Sequence, residues 1–409
     1  MIVDFKNKKL TDDTSEMSKS DLFLLTERNE VYFNNLDKKI DFIRVKDLIK
    51  EWGLEEIKFI GITGTNGKTT VAAAIAHGLN KLGYGVANQG TSGLFLDGKK
   101  ITEKNRTTPE ILETLYNAKL AKEKGIEFFV MEVSSHAIAQ NRIENINFDV
   151  KVHTNITSDH LDFHKTIEKY RNIKNSFLSD ESIKVINIDD PFVRFNKKNS
   201  VTYSWNNPKS DYQIANLNLK TLLVGKFNLY NLTAAIIVIQ KLLQKISLEQ
   251  VTKIFEDFNG VVGRMEVISR NPLIIVDFAH TDDGMEKVLS SFPNKKLVVV
   301  FGAGGDRDIS KRSKMGFVAE KYAQRIYITS DNPRTENPER IIDQILEGVK
   351  DRKKVETILD RKKAIQKAVN NLKEDEILFV LGKGDETYQE INNRKIPFDD
   401  REIIRDMLK

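Results

Sequence analysis

The sequence predicts an α/β protein built on parallel sheets. Short apolar strands alternate with helical stretches in two successive series, and each strand runs into a glycine or polar cluster. The length, 409 residues, is enough for two or three domains that each bury a core. In the first series KFIGIT (Lys58–Thr63) precedes a Gly-rich turn and an Ala-rich helix, VAAAIAHGLNKLG, that stops at Gly83. EFFVMEV (Glu127–Val133), FDVKVHTNI (Phe148–Ile156) and IKVINI (Ile183–Ile188) repeat the alternation. Near-continuous apolar strands of this kind belong to a sheet covered on both faces. The second series begins near Arg264, with LIIVDFA (Leu273–Ala279), KLVVVFGAG (Lys296–Gly304), RIYITSD (Arg325–Asp331) and EILFVLGKG (Glu376–Gly384). A helical segment, Asn228–Lys245, leads from one series to the other. Ligands of open α/β sheets bind outside the carboxyl ends of strands, which puts the chemistry at those polar clusters. Residues 1–50 are mixed and polar and cannot build much of a core alone.

Composition narrows the function. Lys plus Arg is 64 against 59 Asp plus Glu, a net charge of +5 that does not point to a nucleic-acid protein. The Lys/Arg clusters of 351–363 read as solvated helix faces. Cysteine is absent, so a disulfide scaffold, a zinc finger and a thiol nucleophile are excluded. MIVDFKNKKLTDD lacks the apolar core of a signal peptide, and no stretch approaches the roughly 18 apolar residues of a membrane span. The expectation is a soluble cytoplasmic protein without membrane insertion.

The strongest local signal is GITGTNGKTT, Gly61–Thr70, between a strand and a helix. Glycines let a backbone approach phosphates, and a helix N-terminus points N–H groups at them. Lys68 supplies a point charge and the Thr69 hydroxyl suits a nucleotide-bound Mg²⁺. A strict P-loop has Gly where this chain has Ile62, so Gly64–Thr69 is a variant of it. The alternative is a structural turn before a helix. Four of the six histidines, His136, His153, His160 and His164, fall within MEVSSHAIAQNRI and KVHTNITSDHLDFH. Glu132 lies at the carboxyl end of one strand and His160 follows the polar end of another, ends that converge near the loop, which makes them candidates for a second Mg²⁺. The alternative is packed histidines, since Mg²⁺ prefers oxygen ligands.

GTNGKTT, TTPE (Thr107–Glu110), MEVSSHAIAQNR, TNITSDHLDFH, GKFNLYN, GRMEV, VDFAHT and SDNPRTENP occur in this order. Together they resemble the Mur ligases, the ATP-dependent amino-acid-adding enzymes of peptidoglycan synthesis, and most closely the MurE type. The resemblance covers roughly residues 56–400. It implies three domains: a reduced N-terminal UDP-substrate domain (1–55), a central P-loop ATPase-like parallel-sheet domain (56–263) and a Rossmann-like amino-acid-binding domain (264–409). It implies ATP and Mg²⁺, handled by Gly64, Thr65, Asn66, Gly67, Lys68, Thr69 and Thr70, with Asn228 and Asn231 on the nucleotide. Arg264, Asp277 and His280 match residues that close over ATP. Glu132 and His160 match metal ligands and act with Lys68 in catalysis. Lys174 matches the family's carbamylated lysine, a modification that turns an ammonium into a metal-binding anion; the residue alone reads as a solvated helix lysine.

The UDP-N-acetylmuramoyl-L-alanyl-D-glutamate substrate is expected at Thr107, Thr108, Ser134, Gln140 and Arg142. Asp331, Asn332, Pro333 and Arg334 match the motif used for meso-diaminopimelate, whose distal carboxylate a guanidinium can grip. Arg307, Gly382 and Glu386 complete that pocket, Glu386 facing the ammonium. Asp385 stands where the family usually has His, Asp282 where it has Pro, and Ser15 where the uridine domain has Arg. The implied enzyme is a monomeric acid–amino-acid ligase that works through an acyl phosphate on small-molecule substrates. A ligase adding lanthionine or lysine, and a P-loop regulatory protein without ligase activity, are the alternatives.

Overall fold

The computed structural model describes residues 1–35, 40–103, 106–157 and 161–409, with Leu161 and Asp162 as backbone only. It divides into two compact units, one of Met1–Thr221 and Asn228–Phe258, the other of Leu222–Phe227 and Asn259–Lys409.

In the first unit β1 (Ile2–Phe5), β2 (Lys8–Thr11), β3 (Leu22–Leu25) and β4 (Asp41–Arg44) form a four-stranded sheet in that order. Its apolar residues have a partner: Val3, Phe5, Leu10, Leu22 and Leu24 share one core cluster with Phe59, Ile111, Leu115 and Phe129. That is how a segment too polar for a core of its own folds.

The central sheet has nine strands: β5 (Lys58–Thr63), β6 (Val86–Gly90), β7 (Gly93–Leu96), β8 (Lys99–Lys100), β9 (Phe128–Glu132), β10 (Phe148–His153), β11 (Ile183–Asn187), β12 (Ser200–Ser204) and β13 (Tyr212–Gln213). Their order is β13-β12-β11-β10-β5-β9-β6-β7-β8, parallel from β13 to β6, with β7 and β8 added antiparallel. β5 therefore lies between β10 and β9, so the residues following all three strands meet at one edge. Gly61 is needed inside β5, because a Cβ there would come within 2.8 Å of the Phe148 and Phe177 rings.

The second unit carries β14 (Glu266–Arg270), β15 (Leu273–Asp277), β16 (Lys296–Phe301), β17 (Ala323–Ile328), β18 (Val355–Thr357) and β19 (Glu376–Leu381). The order is β14-β15-β19-β16-β17-β18, parallel except for β14. Alternate residues feed opposite faces, as the two-residue strand period requires. Ile275, Val299, Phe301 and Phe379 enter one cluster, and Ile274, Val298, Val300 and Leu378 the other. A hairpin of β20 (Tyr388–Ile391) and β21 (Arg394–Pro397) follows. The α/β architecture with parallel sheets is thus the one expected. Several strands stop short of their expected ends, since Gly302–Gly304 and Gly382–Gly384 leave the ladder to form loops.

Those loops rest on buried ion pairs. The Arg312 side chain is wholly buried and donates to Glu336 Oε1 and Oε2 at 2.8 Å each, to Gln344 Oε1 at 2.6 Å and to the Gly304 carbonyl at 2.9 Å. Arg361, also buried, donates to both Asp400 oxygens (2.8 and 2.7 Å) and to the Leu381 carbonyl (2.9 Å). The Arg312 hydrogen bonds lower the Glu336 carboxyl to about 2. A folded-state pKa below the unfolded value contributes stability above the unfolded value, and that contribution is lost as pH falls towards about 2. Glu336→Gln is expected to be less stable than the parent at about pH 6, with the difference vanishing near about pH 2 (thermal midpoints across pH), as follows for a carboxylate whose charge is the only change.

Candidate active site

The loop between β5 and the Lys68–Lys81 helix is braced from the segment after β10. Thr65 N–H donates to the Asn155 carbonyl (2.7 Å), Asn66 N–H to Asn155 Oδ1 (3.1 Å), and Thr154 Oγ1 to the Asn66 carbonyl (2.6 Å). Gly64 has φ +151°, and a Cβ on it would lie 1.8 Å from Thr154 Oγ1. Gly67, the helix N-cap, has φ +85°, and a Cβ there would lie 2.4 Å from Asn231 Oδ1. Asn231 thus stands directly over the loop, with its amide donating to Asn228 Oδ1 at 3.1 Å. Both are buried on the Lys226–Leu242 helix.

Two ammonium groups reach the same carbonyl. Lys68 Nζ donates to the oxygens of Gly64 (2.8 Å) and Thr65 (2.9 Å), and Lys174 Nζ donates to that of Gly64 at 2.9 Å. Lys174 lies on the Ile167–Ser176 helix, is buried, and sits 5.1 Å from the Tyr170 ring centroid. Tyr170 in turn hydrogen-bonds Thr65 Oγ1 at 2.8 Å. The lysine that reads as solvated on helix periodicity is therefore inside, against the loop.

Glu132 closes β9 as a buried carboxylate that accepts from Thr91 N–H (2.9 Å) and Thr91 Oγ1 (3.2 Å). Thr91 Oγ1 also meets Thr107 Oγ1 at 3.1 Å. Thr108 Oγ1 donates to the Glu132 carbonyl (2.9 Å) and accepts from Ser134 N–H (2.9 Å). Arg142 donates to the Thr108 carbonyl (3.0 Å) and to Gln140 Oε1, and lies 3.4 Å from Glu110. Thr107, Thr108, Glu132, Ser134, Gln140 and Arg142 thus form one hydrogen-bonded chain. Its far end opens on a cavity of about 500 Å³ lined also by Asp12, Thr26, Arg28, Tyr32 and Arg106.

His160 lies outside the described residues. His164 Nε2 meets Ser135 Oγ at 2.9 Å, and His153 lies 3.2 Å from Asp190 Oδ2, where burial pushes its imidazole pKa down. Among the described residues no three His, Asp or Glu side chains are grouped to hold a metal ion. Thr69 and Glu132 provide hard oxygen donors, the chemistry Mg²⁺ takes.

In the second unit, Asn332 Nδ2 donates to Glu386 Oε2 (2.9 Å), while its Oδ1 accepts from Lys383 Nζ (3.0 Å) and Glu390 N–H (2.9 Å). Lys383 is fully buried and also donates to Glu386 Oε2 at 2.9 Å. A Cβ on Gly382 would lie 2.6 Å from Asp331 Oδ2, so this glycine lets the two loops touch. Arg334 has φ +50° and donates through Nε to Glu390 Oε2 (3.0 Å) and through Nη1 to the Gly305 carbonyl (2.6 Å). Both Arg334 Nη1 and Arg307 Cγ lie within 3.7 Å of where a Gly304 Cβ would be. Asp277 accepts from Met265 and Ala279 N–H groups at 2.7 Å each, and burial pushes its carboxyl pKa up. Arg264 lies over the Phe278 ring at 4.5 Å, and His280 Nδ1 meets the Phe278 carbonyl at 2.9 Å.

Two family models match this chain, described as the Mur ligase middle domain (residues 62–239) and the Mur ligase glutamate ligase domain (263–384). The chain belongs to the Mur ligases. A UDP-N-acetylmuramoyl-L-alanyl-D-glutamate–2,6-diaminopimelate ligase of Wolinella succinogenes is 46% identical over 97% of this chain and 95% of its own length. One of Helicobacter pylori is 45% identical over the same shares. A solved structure bearing the same enzyme name aligns with TM-score 0.68 at 26% identity, covering 98% of this chain and 94% of that one. Lys383, Glu390 and Arg312 also brace these loops of this Mur ligase, and sequence reasoning does not single them out. Lys383 lies within the GKG run, but a lysine between glycines reads as solvated.

Gly64→Ala, whose Cβ would lie 1.8 Å from Thr154 Oγ1, is expected to displace the loop and weaken ATP binding about ten-fold, equivalent to about 1.4 kcal/mol, with the fold retained by circular dichroism. Calorimetric titration checks this, and an unchanged affinity would remove the loop from the nucleotide site.

Proposed function

We propose that this Mur ligase adds meso-diaminopimelate to UDP-N-acetylmuramoyl-L-alanyl-D-glutamate at the expense of ATP, in cytoplasmic peptidoglycan precursor synthesis. The observation that carries the reading is the Asp331–Arg334 loop. Its hydrogen bonds fix Arg334 through Nε and Nη1, and among the described residues Nη2 has no protein partner. Nearby, Lys383 and Asn332 both donate to Glu386 Oε2 and fix its side chain. A diamino acid with a distal carboxylate needs a cation at one end and an anion for its ammonium. The names of the relatives support the same substrate.

The division of labour follows from placement. Residues 1–55 border the cavity that takes the UDP-sugar, with Thr107, Thr108, Ser134, Gln140 and Arg142 on its inner wall or linked to it. Residues 56–263 hold ATP on Gly64–Thr70, with Asn228 and Asn231 beside the loop. Residues 264–409 hold the amino acid at Arg307, Asp331–Arg334, Gly382 and Glu386, and carry Arg264, Asp277 and His280, the residues matched to ATP handling. Thr69 and Glu132 would hold Mg²⁺, joined by His160 and a carbamylated Lys174, and the ion supplies charge neutralisation of the phosphates. As the unmodified ammonium, Lys174 donates to Gly64, and a carbamate keeps one N–H on the same nitrogen.

In the reaction the D-glutamate carboxylate attacks the γ-phosphorus and ADP leaves, giving an acyl phosphate. The diaminopimelate amine attacks its carbonyl carbon, the tetrahedral adduct expels phosphate, and the nitrogen loses a proton as the amide forms. Lys68 neutralises charge on the phosphates. Nothing in the scheme needs a side-chain nucleophile, so positioning and electrostatics carry the rate.

With purified protein and the UDP-dipeptide, an amino-acid panel is expected to show diaminopimelate incorporated far more efficiently than lysine, which is used only at high concentration. Arg334→Ala is expected to lower kcat/KM for diaminopimelate about 100-fold, as loss of a charged pair partner does, while the KM for ATP stays within about two-fold. Lysine used as well as diaminopimelate would overturn the substrate assignment.

A further inference from the structure

The hairpin of β20 and β21 reads the Asp331–Arg334 loop residue by residue. Gln389 Nε2 donates to the Asp331 carbonyl at 2.8 Å, and Glu390 N–H to Asn332 Oδ1 at 2.9 Å. Arg334 N–H donates to the Glu390 carbonyl at 3.0 Å, and Asn392 N–H donates to the Arg334 carbonyl at 2.7 Å. Arg334 and Ile391 form an isolated parallel bridge. These contacts use backbone or side-chain amide groups and would survive replacement of the Glu390 side chain. The Glu390 carboxylate does something else. Its Oε2 accepts Arg334 Nε–H at 3.0 Å, with the Arg334 and Glu390 side chains 21% and 25% exposed.

Arg334 needs this help. Its backbone is left-handed at φ +50°, which a non-glycine residue adopts at a cost. Its long side chain loses rotamer freedom when fixed. Glu390 takes Nε–H and the Gly305 carbonyl takes one Nη1 hydrogen, so the planar group is held at two of its three nitrogens and Nη2 remains for a ligand oxygen. A rigid fork in a preset plane binds a carboxylate better than a mobile one, because less freedom is lost on binding.

We propose that Glu390 is a specificity-determining positioning residue: it sets the plane of Arg334 and thereby the preference for an amino acid with a distal carboxylate over one without. The proposal rests on the substrate reading above and deepens it. Glu390 touches neither the reacting carbonyl nor the nucleotide in this role. Its loss acts on the distal-carboxylate end alone, so diaminopimelate suffers while lysine, which has nothing for Arg334 to grip, does not.

The test is a double-mutant cycle on the full-length enzyme with Glu390→Ala, Glu390→Gln, Arg334→Ala and Arg334→Ala/Glu390→Ala, each assayed with diaminopimelate and with lysine. Glu390→Ala is expected to raise the KM for diaminopimelate about ten-fold, with kcat and the KM for ATP within about two-fold, as loss of ground-state positioning does. The diaminopimelate-to-lysine ratio of kcat/KM falls by the same factor. Glu390→Gln, which keeps an oxygen for Nε–H, recovers most of the loss, and the double variant is no worse than Arg334→Ala, because the two act as one unit. The proposal is overturned if Glu390→Ala leaves the selectivity ratio unchanged, if Glu390→Gln is as impaired as Glu390→Ala, or if the double variant loses the product of both single losses. Failure of the substrate reading shows differently: the unmutated enzyme would then add no diaminopimelate, and the role of Glu390 would fall with it.

Discussion

The carbonyl oxygen of Gly64 accepts hydrogen bonds from two lysine ammonium groups, one from the helix that begins at the loop and one from a helix much later in the chain. Two cations drawn to one dipole repel each other, and Lys174 does so out of contact with water. The loop is thus pinned to two helices, and the absence of a side chain at Gly64 and Gly67 is what allows the facing groups to approach.

From that edge the central sheet explains the remaining placements. β9 and β10 flank β5, so Glu132 and the Thr154–Thr157 segment arrive at the loop by register rather than by long-range docking. Thr108 then ties Glu132 to Ser134 and Arg142, which carries the same polar network to the cavity beside the N-terminal sheet. The second unit solves a different problem by other means. Its loops hold both an acid and a guanidinium, and each is fixed by an opposite charge from the protein: Lys383 for Glu386, Glu390 for Arg334.

Strand positions are legible in the sequence because parallel strands buried on both faces are continuous apolar runs, and the Lys58–Thr63 run matches its strand at both ends. Several other runs extend past their strands, since the residue at which a Gly-rich or polar tail bends out of the ladder is set by the loop it joins and not by the apolar pattern. The N-terminal sheet is not legible: its strands are four residues each and find their core in residues that lie far along the chain. In the site, the glycine loop and its lysine announce themselves by local pattern. Lys174 does not, because its helix has polar residues around it and only tertiary packing buries it; there the family resemblance supplies what periodicity cannot. Lys383 and Glu390 are hidden for a related reason. Both hold other side chains in place, and no spacing rule marks a residue whose partner lies on a different loop.

The central claim is that ATP activates a carboxylate of the UDP-linked substrate by phosphorylating it. The measurement that reaches it most directly follows oxygen: the D-glutamate carboxylate is labelled with ¹⁸O, the complete reaction is run in ordinary water, and the released phosphate is examined by ³¹P NMR. The account predicts that each phosphate carries one labelled oxygen from the carboxylate. Phosphate without label, released alongside the amide, would contradict it.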